Sequence, residues 1–109
     1  MTERARAWLA MRAGAVPPAL EARMESAIDD VLEHDTIPGA LADAARICLR
    51  AALAVGDDRE AALHLLAADA LITYACEAAA NDDGDSLRDL AESWSPGSLA
   101  RLVAGSATA

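Results

Sequence analysis

Between Asp58 and Ala80 the chain contains neither Gly nor Pro, and this run constrains the fold more than any other feature. It is filled with Ala, Leu and other strong helix formers, and Asn81-Asp82-Asp83-Gly84 supplies the turn residues that stop it. Asp57 and Glu60 stand three apart, the spacing of a capping box in which the Asp side chain accepts an orphan backbone N–H and the Glu reaches back to the cap. The pattern predicts a helix over residues 58–80, roughly 34 Å long at the α-helical rise.

At 100° per residue, Leu63, Ala67, Ala70, Leu71, Tyr74 and Ala78 share one broad face. Leu65, Ala68, Ile72 and Cys76 make a second apolar strip, and Asp69, Thr73 and Glu77 a polar stripe. A helix apolar around most of its circumference is central to its fold or covered by a partner. The other helices are therefore expected to pack around it.

Those helices are legible from their punctuation. Thr2 is placed to cap a first helix with Ala5, Trp8, Leu9 and Arg12 on one face, ended by Gly14. Pro17-Pro18 opens a second, with Leu20, Met24, Ala27, Ile28, Val31 and Asp35 in line. Thr36 caps a third running to about Val55, whose core face is Leu41, Ala44, Ala45, Cys48, Ala51, Ala52 and Val55. Gly56 then closes a tight antiparallel hairpin with the central helix. Ser86 and Asp89 mark a short helix through Trp94, and Ser95-Pro96 starts a last one through Val103. The expected fold is all-α: one domain over residues 1–104, a compact bundle of about four main helices plus a short C-terminal helix, with residues 105–109 as a frayed tail.

The chain's 109 residues can support one core without staples. That core must come from Leu, Ile, Val and Ala, because Phe is absent. The basic residues are all Arg, with no Lys or Gln anywhere, a bias expected of a GC-rich bacterial genome. Net charge is −9 and concentrated beyond residue 25, which argues against nucleic acid or anionic membrane as a partner. The N-terminal segment is amphipathic, and His64, Asp69 and Glu77 interrupt the longest apolar run, so a cytoplasmic protein is expected. Cys48 and Cys76 are too few for a disulfide framework, and their offset of about 18 Å along the hairpin predicts that they stay unbonded.

Three groups could carry chemistry. Asn81, Asp83, Asp85, Asp89 and Glu92 occupy positions 1, 3, 5, 9 and 12 of a twelve-residue stretch, the oxygen-ligand spacing of an EF-hand Ca2+ loop. Ser86 stands where that loop needs Gly, Arg88 where it needs an apolar residue, and no second loop exists, so an acidic turn is the competing reading. His64, with Glu60 one turn before it, Tyr74 on the same face and Cys48 level with it across the hairpin, could line a ligand pocket. A Cys48/His64 pair could also serve a small enzyme as an activated thiolate. Asp30 and His34, at i and i+4 in the acidic run that includes Asp29, Glu33 and Asp35, are more simply a solvated face.

No resident cofactor is expected, with Ca2+ the alternative. The leading expectation is a non-catalytic bundle that forms a homodimer or binds another protein. Leu65 and Ile72 on the second strip, and Trp8 and Trp94 on short peripheral helices, would form its interface. A metal- or ligand-binding bundle and a small enzyme are the alternatives. Arg46 or Arg50 is expected to pair with Asp69 between neighbouring polar stripes.

Overall fold

The computed structural model describes residues 2–12, 14, 16–31, 36–55, 58–82 and 84–108, with the backbone alone at residues 2, 84 and 106–108. Six helices and no strand occur among them: α1 (Thr2–Arg12), α2 (Pro18–Asp29), α3 (Ile37–Val55), α4 (Arg59–Asp82), α5 (Gly84–Ser93) and α6 (Pro96–Thr108). The all-α bundle with a long central helix is what forms. Its radius of gyration, 13.4 Å, is close to the ~13 Å expected of a compact domain of this length.

Local chemistry sets the helix starts. Pro17 and Pro18 begin α2, and Thr36 Oγ1 accepts the Gly39 N–H at 3.1 Å to cap α3. Asp58, one residue later than predicted, caps α4: its Oδ1 accepts the N–H groups of Glu60 at 3.0 Å and Ala61 at 3.1 Å. Gly56 and Asp57, assigned to the hairpin turn and the cap, lie outside the described residues. Ser95 Oγ accepts the Ser98 N–H at 3.3 Å and starts α6 behind Pro96.

Two helix ends depart from the sequence reading. α2 stops at Asp29 rather than near Asp35, because the Asp30 and Val31 N–H groups turn back to the Ala27 and Ile28 carbonyls in a tight i→i+3 closure. Val31 is still buried, from beyond the helix. α6 continues through Gly105 to Thr108, where a frayed tail was expected. Glu33, His34 and Asp35 lie outside the described residues.

α3 and α4 form the most extensive pairing, with α2 against both, α5 against α4 and α3, and α1 and α6 against α3. Met24, Ile28, Leu41, Cys48 and Leu71 are the largest fully buried side chains. Around them Ala40, Ala44, Ala45, Ala67, Ala75 and Ala79 have no more than a trace of exposure, and such small contacts let helix backbones approach closely.

The buried side of α4 explains the two apolar strips. Ala61, His64, Ala67, Ala68, Leu71, Ala75, Ala78 and Ala79 form one continuous stripe, and the two strips are its flanks. Ala67, Leu71 and Ala78 of the first strip and Ala68 of the second are buried in it, and His64, Ala75 and Ala79, whose small or polar side chains carry little hydrophobic signal, join the two strips. Ala68 is buried and Ile72 half-buried, while Leu65 and Cys76 face outward. By length and composition alone α4 could cross a bilayer, but this packing makes it the core helix of the bundle.

Candidate functional site

A cleft of about 130 Å³ opens where α2, α3 and α4 meet. α2 contributes Arg23, Ser26, Ala27 and Asp30; α3 contributes Ile47, Cys48 and Ala51; α4 contributes His64. The hairpin therefore does bring Cys48 and His64 to one place, as their equal distance from Gly56 implied. Pairing of the helices at Ala-rich faces leaves room for the imidazole between them.

His64 is 5% exposed, and its Nδ1 has no hydrogen-bond partner among the described residues. Arg23 Nε is likewise buried and without a partner among them. Buried polar groups are nearly always satisfied; a cleft of about 110 Å³ between α1 and α2 has one such atom in its lining residues, Arg6 Nε, and this cleft has two. Wider grooves, about 280 Å³ beside Trp8 and about 300 Å³ beside Leu90, are lined by no residue with such an atom among those described.

Burial pushes the Cys48 thiol up to about 11, with the nearby Arg23 guanidinium pulling weakly the other way. At neutral pH it is a neutral thiol, chemically unlike the lowered-pKa thiolate a nucleophile needs. Glu60 is exposed in the first turn of α4 and does not line the cleft, and Tyr74 packs against Trp8 instead. Sequence reasoning missed Arg23, Ser26 and the approach of Asp30. Their i, i+3, i+7 spacing beside the core residue Ala27 was the available signal, obscured by reading the end of α2 as a solvated acidic face.

The backbone of the candidate calcium loop is largely helical among the described residues. An EF-hand wraps its oxygens around the ion with a loop, whereas Asn81 is in α4, and Asp85, Asp89 and Glu92 are spaced along α5. Asp85 pairs instead with Arg88 at 3.8 Å, and Asp82 accepts the Ser86 hydroxyl at 3.0 Å. Asp83 lies outside the described residues. No group of three or more His, Cys, Asp or Glu side chains suited to a metal occurs among the described residues.

The two Trp residues are engaged within the chain. Trp8 meets Tyr74 edge-on and Arg12 lies over its ring; Trp94 carries the Arg46 guanidinium at 5.1 Å. Arg46 also bonds Asp43 at 3.3 Å and the Ser93 carbonyl. That corrects the expected pairing with Asp69, which is exposed on the outward face of α4, as Arg50 is on α3. Four large exposed apolar side chains lie on the turn half of the hairpin, Leu53 and Val55 on α3 and Leu65 and Leu66 on α4, while Met11, Leu87 and Val103 are scattered singly over α1, α5 and α6. Leu65 and Leu66 are the most exposed of the four, at 50% and 57%.

No protein-family model, curated protein or solved structure matches this chain.

Proposed function

We propose that this protein is a non-catalytic helical bundle that self-associates through the turn end of the α3–α4 hairpin. The observation that carries the reading is the outward display of Leu65 and Leu66 on the helix that otherwise forms the core. Leu53, Val55 and the exposed Ala54 and Ala62 extend the same end of the hairpin. By helix rise, Leu53 and Leu66 both lie within about 15 Å of the turn along the hairpin axis. A second copy related by a two-fold axis would meet the patch with an identical one, the commonest arrangement in homo-oligomers. Small Ala side chains between the Leu residues would let the helices approach.

The patch is modest, so the dimer is weak and concentration-dependent rather than obligate. Sedimentation velocity across the micromolar range is the test. A monomer–dimer equilibrium supports the proposal, and a strict monomer throughout overturns it.

A further inference from the structure

We propose that the cleft between α2, α3 and α4 binds a small organic monocarboxylate with an apolar body. Arg23 and His64 line it, each with a buried nitrogen that lacks a partner among the described residues. A ligand oxygen at these atoms would remove a desolvation cost that the unliganded fold carries.

The charge of the ligand follows from the lining. Arg23 brings the one guanidinium among the described lining residues, and it makes no ion pair among the described residues although Asp30 lines the same cleft. A guanidinium presents a planar fork of donors that matches a carboxylate. His64 adds a further donor, since a neutral imidazole donates from one ring nitrogen and accepts at the other. Cys48 remains a neutral thiol and repels no anion. Asp30, exposed at the rim, would repel a dianion more than a singly charged group, so a carboxylate is favoured over phosphate. A metal is disfavoured by the same Arg23 charge and by the lack of a closed ligand set among the described residues.

The size and body of the ligand follow from the remaining walls. Ala27, Ile47 and Ala51 are apolar, and the volume of about 130 Å³ is near the ~150 Å³ that accommodates a benzene ring. The carboxylate would lie at Arg23 and His64, with the hydrocarbon against Ile47 and Ala51. Leu65 and Leu66 are not part of this lining, so the site and the self-association surface can fail independently.

The experiment is a titration of the full-length protein with sodium benzoate, followed by amide and imidazole chemical shifts. Benzamide and inorganic phosphate are run in parallel. Saturable shifts at Arg23, Cys48 and His64 are expected with benzoate, with binding about tenfold or more weaker in Arg23→Met. Arg23→Lys, which keeps the charge and loses the fork, should fall between the two; should Arg23→Met not fold, it serves as the deciding variant. Asp30→Asn, which removes a negative charge from the lining, should tighten binding of both anions, and that of phosphate more than that of benzoate. Absence of saturable shifts, equal binding of benzamide, or benzoate binding unaffected by either Arg23 substitution would overturn the proposal.

Discussion

The indole of Trp8 meets the phenol ring of Tyr74 edge to face, with centroids 6.3 Å apart and planes at 76°. This contact ties α1 to α4, and Arg12 reinforces it by lying 5.4 Å from the indole centre and bonding Glu77 at 2.7 Å. α1 otherwise buries only Ala5 and Leu9 among its described side chains. Trp8→Ala should cost about 2 kcal/mol in urea unfolding, less than for a fully buried Trp because the ring is half-exposed. Arg12→Ala, which removes an exposed ion pair and a cation–π contact, should cost under about 1 kcal/mol. Equal costs for the two variants would show that charge, not aromatic packing, docks α1.

Helix positions were readable because Pro, Thr, Asp and Ser act locally: Pro18, Thr36 and Ser95 all start helices where the sequence placed them. Which side of α4 is buried was only half readable. The buried residues that join its two apolar strips are His64, Ala75 and Ala79, and residues this small or polar are recognised as core only once Ala-rich neighbours are seen to close over them. Cys48 and His64 could be brought together from hairpin arithmetic alone. The face of α2 that carries Arg23 was marked by its spacing from Ser26 and Asp30, but its approach to His64 was not, because the angle at which α2 crosses the hairpin depends on packing beyond local signals.

Cys48 makes two linked predictions. An alkylating reagent at neutral pH should modify exposed Cys76 and spare Cys48, as mass mapping of the labelled peptides would report. In the unfolded chain the thiol ionises near its ordinary 9.0, and in the fold at about 11. The unfolded state therefore releases its proton first as pH rises. The contribution is complete below pH 9 and is lost between 9 and 11, roughly 2–3 kcal/mol in all. Cys48→Ala should flatten that alkaline slope; an unchanged slope would place its origin elsewhere.

Arg46 joins α3 to the α5–α6 junction through Asp43, the Ser93 carbonyl and the Trp94 ring. Removing it in Arg46→Ala should cost about 1–2 kcal/mol and shift Trp94 emission, read in a Trp8→Phe background. Asp69→Asn, at an exposed position, should stay within about 0.5 kcal/mol of the parent. A large loss from Asp69→Asn would reveal a charge network on the outward face of α4.

Calcium should have no specific effect. Because Asp85, Asp89 and Glu92 are held along α5, a chelating loop would require melting two turns of helix. Millimolar Ca2+ should leave the melting temperature and far-UV dichroism unchanged relative to Mg2+. A calcium-specific rise in melting temperature would mean that this segment can rearrange into a loop.

The last prediction concerns the hairpin patch. Leu66 points almost directly away from the buried stripe of α4, so Leu66→Asp changes the surface and leaves the core intact. Leu65 lies nearer the stripe but is still half-exposed, and Leu65→Asp should be nearly as well tolerated. Each substitution should therefore stay within about 1 kcal/mol of the parent in stability. In a two-fold dimer, however, every charge placed at the patch faces its own copy or apolar neighbours, so each substitution acts twice. Both variants should sediment as monomers at concentrations where the parent associates, while melting at nearly the same temperature. Glu60→Gln, exposed in the first turn of the same helix, is the charge control and should leave association unchanged. If both Leu variants dimerise like the parent, the interface lies elsewhere on the molecule.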